Sequence, residues 1–227
     1  MTTITVELAD DNNMEARELV VSAYQSLVDS GLGCGASGNV SQRIGGGMLI
    51  TPTGIEAGQL RADQVVAMSL GGDRVMNQLL PSSEWHMHAA IYRDRPEVQA
   101  IVHCHSRYAT ILACARCAVP ALHYMIAITG SNEIPVASYA TFGTEDLGAT
   151  AVVALKGKLA CLLANHGQMA LGCSLDQALK VAIEVEELSA LHWGSLAIGG
   201  GHCLSEEEMR EAQFAFTSYG QQGKQIG

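Results

Sequence analysis

The chain has 227 residues, 48% of them hydrophobic and 16% charged, a balance typical of one compact domain with a sizeable core rather than a disordered chain or a repeat array. Its formal net charge of -10, without any run of Lys and Arg, argues against a nucleic-acid-binding surface. Because no basic leader and no apolar window of membrane-spanning length stands out, we expect a single cytoplasmic domain over residues 1–227 with no membrane partner.

The first half of the chain alternates helical and strand-like patterns. Apolar residues at helical spacing are followed by a glycine-rich stretch from Gly31 to Gly38, which predicts that a helix ends there. Later, Pro81-Ser82-Ser83-Glu84 is typical of a helix start, with a hydroxyl cap and an acid in the first turn. The elements predicted here are a helix over 15–29, strands over 48–51 and 65–70, and a helix from 81 to about 93.

The second half continues this irregular alternation. It contains apolar runs of strand length and two longer stretches with helical periodicity. The elements predicted here are strands over 98–103 and 159–163 and helices over 175–198 and 205–219. Because the order of helices and strands is irregular, we expect an α/β fold whose sheet is mixed or antiparallel, with helices on its faces, rather than a doubly wound parallel sheet.

Two histidines flank one cysteine at the end of the predicted strand, in His103-Cys104-His105. Side chains at i and i+2 of a strand project from the same face, so both imidazoles can reach one metal ion while Cys104 packs on the other side. A third histidine, His166, follows the strand over 159–163 and precedes Gly167, a residue that permits close backbone approach. Three imidazoles with one carboxylate, Glu84, predict a catalytic rather than a structural zinc site.

Another pair of histidines, His86 and His88, lies within a predicted helix. At that spacing the two side chains point about 200° apart, so they cannot both bind one ion. His88 is one helical turn from Glu84, and a supporting contact between them is reasonable. We therefore expect His86 to be a solvated helix position.

Two loops have the composition of a phosphate site, Gly38-Asn39-Val40-Ser41 and Thr51-Pro52-Thr53-Gly54. Together with Ser82 and Ser83 at a helix amino terminus, they offer hydroxyl, amide and backbone N–H donors. Such donors, with a helix dipole behind them, bind a dianion without any lysine. Each loop alone is more often a plain turn, so the prediction depends on their occurrence beside the histidines.

These motifs occur in an order that resembles the class II aldolase/adducin superfamily, and the resemblance covers nearly the whole chain. Longer runs are most similar to the branch that cleaves ketose 1-phosphates such as L-fuculose 1-phosphate. The runs that carry this second resemblance are Ser82-Ser83-Glu84-Trp85, 120–127, Ile134-Pro135, 139–144 and Thr217-Ser218-Tyr219-Gly220.

The resemblance implies an αβα three-layer domain with a largely antiparallel sheet, assembled as a homotetramer with active sites between subunits. It implies zinc, or another divalent transition metal such as Mn²⁺, Co²⁺ or Fe²⁺, on three histidines, with Glu84 as catalytic acid/base and additional ligand. It also implies a catalytic Tyr124 contributed by a neighbouring subunit. The remaining implied roles are metal ligation by His103, His105 and His166, phosphate binding by Asn39, Thr53, Gly54, Ser82 and Ser83, and lining of the aldehyde end by Phe142, Phe216 and Tyr219.

The activity that this resemblance implies is retro-aldol cleavage of a ketose 1-phosphate. L-Fuculose 1-phosphate would give dihydroxyacetone phosphate and lactaldehyde, and 5-deoxyribulose or 5-methylthioribulose 1-phosphate would give the same phosphate product. A Schiff-base mechanism would need a desolvated lysine, and none of the four lysines lies in an apolar motif. We therefore expect metal-dependent chemistry.

Three rival functions stay open at this point. Pentulose-5-phosphate 4-epimerases resemble the chain but have Asp where Glu84 stands. The Tyr124 segment and Tyr219 weigh against a methylthioribulose-1-phosphate dehydratase. A non-catalytic adducin-like module would have lost the metal ligands. The three histidines and Glu84 favour an enzyme over such a module.

Overall fold

A computed structural model describes residues 13–33, 36–74 and 78–216 of the chain. Its centre is a seven-stranded sheet in the order β3-β2-β1-β4-β9-β8-β7, and a separate pair, β5 and β6, forms a small second sheet. The strands are β1 Asn39–Ile44, β2 Gly47–Ile50, β3 Val66–Ser69, β4 Ala100–Cys104, β5 Val119–Pro120, β6 Glu133–Ile134, β7 Val136–Ala137, β8 Ala160–Leu163 and β9 Gly167–Gly172.

The central sheet is antiparallel at every neighbouring pair except β7 and β8, which are parallel. In this sheet Asn39 of β1 lies opposite His103 of β4, and His103 in turn lies opposite Met169 of β9. This register brings the ends of three strands that are distant in sequence to one edge of the sheet.

Helices cover both faces of the sheet. They are α1 Met14–Asp29, α2 Trp85–Asp94, α3 Arg107–Ala115, α4 Glu145–Ala154, α5 Leu175–Ala197 and α6 Glu206–Phe216, with a 3₁₀ helix over Tyr124–Thr129. Helices α1, α3 and α5 share one buried apolar core with alternate residues of β1, β4 and β9. Helices α2 and α4 pack on the opposite face over the intervening residues of those strands. The expected three-layer αβα fold with a largely antiparallel sheet is confirmed.

Successive side chains of β4 point alternately into the two cores on opposite faces of the sheet. Val102 and Cys104 belong to the core beneath α1, α3 and α5, whereas Ile101 belongs to the core beneath α2 and α4. Cys104 is therefore a packing residue, as the strand period predicted. His103 projects from the face opposite to Cys104, at the edge where the strand ends.

Two local predictions need correction. The sequence pattern predicts Asn39 and Ser41 in a glycine-rich loop, but both lie in strand β1, because their backbone groups pair with β2 and β4. The helix after Pro81 begins only at Trp85, and Glu84 occupies its N-cap position. The hydroxyl of Ser82 accepts from the Glu84 backbone N–H at 3.3 Å and does not cap the helix itself.

The other predicted elements agree with the structure to within a few residues. The predicted final helix continues to Tyr219, but the described part of that helix ends at Phe216, and Tyr219 lies outside the described residues. Within the part of the chain that the structure describes, no helix combines the length and apolar character needed to cross a bilayer.

Candidate active site

Four side chains from three separate segments converge at one edge of the sheet, and they are Glu84, His103, His105 and His166. One ligand atom from each lies within 4.8 Å of all the others. Nε2 of His103 is 3.0 Å from Nε2 of His105. The two oxygens of Glu84 are 3.1 Å from Nε2 of His103 and 3.1 Å from Nε2 of His166. The three histidines and the carboxylate that the sequence singled out therefore form one cluster.

The backbone around the histidines is arranged to bring them close together. His103 is the fourth residue of β4, and His105 lies just beyond the end of that strand. His166 lies in the turn between β8 and β9, next to Asn165, whose φ of 57° makes the turn tight. A Cβ on Gly167 would lie 2.4 Å from the carbonyl oxygen of Cys104. Only glycine permits this approach of β9 to the end of β4.

The tautomer of His103 leaves one ring nitrogen facing the cluster. Its Nδ1 lies 2.8 Å from the backbone carbonyl oxygen of Gln168. Because a carbonyl can only accept, Nδ1 carries a hydrogen and donates it. Nε2 is then the atom that takes up a proton or offers a lone pair to a metal ion.

The donor set fits a divalent transition metal ion. Oε1 of Glu84 is buried and makes no hydrogen bond of normal geometry, although Nε2 of His166 is 3.1 Å away. When several lone-pair atoms are directed at one metal ion, they lie close together without forming hydrogen bonds to one another. The short distances between the Glu84 oxygens and the histidine nitrogens are of this kind. Three imidazole nitrogens with one carboxylate oxygen suit Zn²⁺ and its neighbours rather than Ca²⁺ or Mg²⁺.

The pKa values of the cluster are strongly perturbed. Burial alone would raise the pKa of Glu84, but the adjoining His103 and His166 hold this pKa far below its usual range. Burial, together with His103 and His166, lowers the pKa of His105 to about 4. The carboxylate is therefore ionised, and His105 is neutral, at physiological pH. Both are protonation states that metal ligation requires. Burial alone would lower the pKa of His103, but Glu84 and the Gln168 carbonyl outweigh it and raise this pKa, so a metal ion would have to displace a proton from Nε2 of His103.

A cavity of about 350 Å³ opens beside this cluster. Its wall contains every candidate phosphate donor and one candidate aldehyde-end residue, Phe142. The backbone N–H groups of Thr53 and Ser82 are bonded to carbonyl oxygens at 3.1 and 2.9 Å, so the hydroxyls remain as donors for a ligand. The polar and aromatic residues of the wall are Ser37, Asn39, Thr53, Ser82, Ser83, Glu84, His105, Tyr139, Phe142, Asn165 and His166, and Gly54 also lines it.

Tyr124 and Phe216 lie in a different cluster. Their ring centroids are 6.2 Å apart, and the Tyr124 ring also packs beside His123 at 4.6 Å. Neither Tyr124 nor Phe216 lines the cavity beside Glu84. Tyr124 is 46% exposed. The surface that carries it is therefore open to a second molecule.

Residues that the sequence patterns did not single out also shape the site. The Gln168 carbonyl orients His103, and Tyr139 lines the cavity and is 58% exposed.

His86 stacks on Trp85 at 3.7 Å and does not join the cluster. The expected support of Glu84 by His88 is present but indirect. Asn39 lies between them, with its amide 2.9 Å from Glu84 Oε2 and its carbonyl 2.5 Å from His88 Nε2.

Complete burial of His88 predicts a specific pH dependence of stability. Burial lowers the pKa of His88 from 6.5 to about 3, with His103 adding to the effect and Glu84 opposing it. Between these pH values the unfolded chain binds a proton that the folded protein does not. Stability conferred by neutral His88 is therefore present above pH 6.5 and lost on acidification, by about 1.4 kcal/mol per pH unit.

The measurement is urea unfolding with a chelator present, at pH 7 and pH 5. From pH 7 to pH 5, we expect the free energy of unfolding of the wild-type protein to fall by about 2 kcal/mol more than that of the His88→Gln variant. His202→Gln, at an exposed histidine, is the control and should follow the wild type. Parallel pH profiles for wild type and His88→Gln would contradict the prediction.

Known proteins resemble this chain over most of its length. The family model described as "Class II Aldolase and Adducin N-terminal domain" matches residues 18–193. The chain is 42% identical over 204 residues to a 5-methylthioribulose-1-phosphate/5-deoxyribulose-1-phosphate aldolase from Rhodospirillum rubrum, covering 90% of this chain and 92% of the relative. It is 41% identical over 211 residues to the L-fuculose phosphate aldolase of Escherichia coli K12, covering 92% and 97% of the two chains.

A solved structure described as L-fuculose 1-phosphate aldolase superimposes with a TM-score of 0.86 at 36% identity. The alignment covers 92% of this chain and 98% of that structure. The resemblance that the motifs indicate is thus confirmed by sequence and by fold. The chain belongs to the class II aldolase and adducin family, and it is a metal-dependent aldolase.

Proposed function

We propose that the protein cleaves a ketose 1-phosphate by a retro-aldol reaction, giving dihydroxyacetone phosphate and a small aldehyde. The observation that carries this proposal is the position of the ionised Glu84 carboxylate. It lies within 3.1 Å of two imidazoles and on the wall of a cavity whose remaining polar lining can bind a phosphate. The relatives named above, whose names describe phosphorylated ketose substrates, support this substrate class.

The metal that we propose is zinc, held by His103, His105 and His166 with Glu84 as a further ligand. Mn²⁺, Co²⁺ or Fe²⁺ would suit the same donors. A divalent ion bound there supplies a Lewis acid that stabilises negative charge on the substrate's ketone oxygen.

The phosphate group is bound, in this proposal, by neutral donors alone. Thr53, Ser82 and Ser83 offer hydroxyls, while Gly54, with a φ of 72°, allows the backbone to approach a ligand. Because α2 begins at Trp85, the positive end of its dipole faces the cavity wall formed by Ser82 and Ser83. Asn39 contributes an amide N–H.

Two residues of the chain transfer protons in this proposal. After the C3–C4 bond breaks, the three-carbon fragment must gain a proton at C3. Glu84 is the acid/base group placed to deliver it, once its carboxylate has taken up the proton that the substrate loses overall from the C4 hydroxyl. The hydroxyl proton at C4 must be lost as the aldehyde forms. We propose Tyr124 for that end, contributed by a neighbouring copy of the chain, because within one chain Tyr124 lies outside the cavity.

The aldehyde portion of the substrate contacts apolar side chains in this proposal. Phe142 is 66% exposed at the cavity wall, so a small apolar terminus such as a methyl group would cover it. L-Fuculose 1-phosphate is the first candidate substrate. The relative from Rhodospirillum rubrum makes 5-deoxyribulose or 5-methylthioribulose 1-phosphate the second. Phe216 and Tyr219 are proposed to line the same end, and Phe216, which lies beside Tyr124, would do so from a neighbouring copy.

We further propose that the whole chain acts as one domain, in the cytoplasm, as a homotetramer with active sites between subunits. The exposure of Tyr124, which lies beside Phe216 and outside the cavity, supports an intersubunit site. No element of the catalytic proposal requires a nucleic-acid or membrane partner.

The test is a substrate panel with coupled enzymatic detection of dihydroxyacetone phosphate. We expect the zinc-loaded protein to release this product from at least one of L-fuculose, 5-deoxyribulose and 5-methylthioribulose 1-phosphate. The matched unphosphorylated ketose should react with a kcat/KM lower by about 100-fold or more, because it lacks the charge-assisted hydrogen bonds. Absence of dihydroxyacetone phosphate from all three, with metal bound, would refute the proposed function.

A further inference from the structure

A series of hydrogen-bonded side chains extends from Glu84 into the core, away from the cavity. Its members are Asn39, His88, Ser41 and Tyr92. Nδ2 of Asn39 is 2.9 Å from Oε2 of Glu84, and Oδ1 of Asn39 is 2.5 Å from Nε2 of His88. The Ser41 hydroxyl oxygen is 2.7 Å from Nδ1 of His88 and 2.9 Å from the Tyr92 hydroxyl. Asn39 is 4% exposed, Tyr92 is 1% exposed, and Ser41 and His88 are fully buried.

The donor at each link follows from the chemistry of the groups. An ionised carboxylate can only accept, so Asn39 must direct its NH₂ at Glu84 and its carbonyl at His88. That carbonyl can also only accept, so Nε2 of His88 carries the hydrogen. Burial keeps the His88 ring neutral by lowering its pKa to about 3. Nδ1 of His88 therefore accepts from Ser41, whose oxygen is left to accept from Tyr92.

All four hydrogens consequently point toward Glu84. In a buried chain of this kind, each hydrogen bond polarises the next, and reversing one link would place two acceptors or two donors against each other. The ionised Glu84 carboxylate and the Nε2 hydrogen of His88 favour the same orientation of the Asn39 amide, because the carboxylate accepts from the NH₂ and the hydrogen is donated to the carbonyl. Without the His88 donor, the buried Asn39 carbonyl would lose its hydrogen bond and the amide would be held at one end only.

We propose that His88 is a positioning residue for the aldolase reaction, because it fixes the Asn39 amide and, through that amide, the direction of the Glu84 carboxylate. This inference rests on the proposed function, in which Glu84 transfers the proton at C3. His88 is fully buried and does not line the cavity, so it acts without touching substrate. The second N–H of the Asn39 amide stays available to the cavity that Asn39 lines.

Two substitutions of His88 by an amide side chain, which differ by one methylene group, distinguish a positioning role of His88 from a general structural role. His88→Gln retains an N–H donor at the reach of Nε2 and keeps the contact with Asn39. His88→Asn is equally polar but reaches only the position of Nδ1, and it leaves the Asn39 carbonyl without its donor. Ile91→Val, at a buried apolar residue of the same helix, is the control for mild destabilisation.

Steady-state rates are compared per mole of folded, zinc-loaded protein, with folding checked by circular dichroism and metal by mass spectrometry. We expect His88→Asn to lower kcat by about 10–100-fold, with KM changed by less than about 3-fold. We expect His88→Gln and Ile91→Val to stay within about 3-fold of the wild-type kcat. Equal kcat values for the Asn and Gln variants would overturn the proposal.

The ring tautomer gives a second readout that needs neither substrate nor variant folding. In ¹⁵N-detected imidazole NMR spectra of the zinc-loaded wild-type protein, we expect His88 to carry its hydrogen on Nε2 alone. A hydrogen on Nδ1 would overturn the inference even in an active aldolase. If the wild type cleaves no ketose 1-phosphate, the proposed function fails. The tautomer then decides separately whether the hydrogen-bond chain exists.

Discussion

Replacing Glu84 with Gln is expected to lower kcat by about 10²–10⁴-fold while zinc remains bound. This is the range by which a positioned general acid/base accelerates proton transfer. Gln has nearly the shape of Glu but cannot exchange a proton at physiological pH. The three imidazoles around it, with ring centroids 4.8–4.9 Å apart, are a sufficient ligand set for zinc without the carboxylate.

The measurements are kcat with the best substrate of the panel and the zinc content of the purified variant. Glu18→Gln, which makes the same change at an exposed position of α1, should behave as the wild type does. Near wild-type kcat in Glu84→Gln would remove Glu84 from the acid/base role. Loss of zinc together with activity would instead make Glu84 an essential ligand.

Replacing His103 with Ala is expected to remove zinc and activity together. Changing a residue that merely supports a ligand typically costs 10–100-fold in metal affinity or activity, so loss of a ligand should lower activity by more than about 100-fold. His103 is fully buried, and the truncation also leaves a cavity. His105→Ala, at a proposed ligand that lies beyond the end of β4 and is less buried than His103, is therefore the parallel variant in which the fold is less disturbed.

Zinc is counted by mass spectrometry after gel filtration, and folding is monitored by circular dichroism. His202→Ala, which truncates an exposed histidine outside the cluster, is the matched control and should retain zinc and activity. A folded His103→Ala or His105→Ala protein with full zinc content and wild-type turnover would show that the ligand set is wrong.

Part of the site follows from local periodicity. The spacing of His103 and His105 on an apolar run predicts that both rings face one point, because strand side chains alternate, and their Nε2 atoms do approach to 3.0 Å. The same alternation predicts that Cys104 is buried in the opposite core. Gly167 beside His166 marks a close approach of backbone, and the approach to Cys104 is present.

Other features depend on contacts between distant segments and have no local signal. The composition around Ser41 predicts a loop, yet Ser41 is a strand residue that hydrogen-bonds His88 in the core. A serine or histidine in the sequence does not reveal its partner, since many neighbours satisfy the same donor or acceptor. The sequence patterns above do not predict helices α3 and α4, although Thr144 caps α4 and acidic residues occupy its first turn. The short apolar stretches of the two helices have much the same composition as buried strands.

Motif order and hydrophobic period are properties of the chain before it folds, and they were enough to assign the family, the αβα architecture and the candidate ligands. The direction of Glu84, and its link through Asn39 to a buried, neutral His88, could be seen only in the folded protein. The same holds for the position of Tyr124, away from the cavity of its own chain. These features depend on strand register and on burial, and register and burial exist only after β1, β4 and β9 have paired and α2 has packed over them.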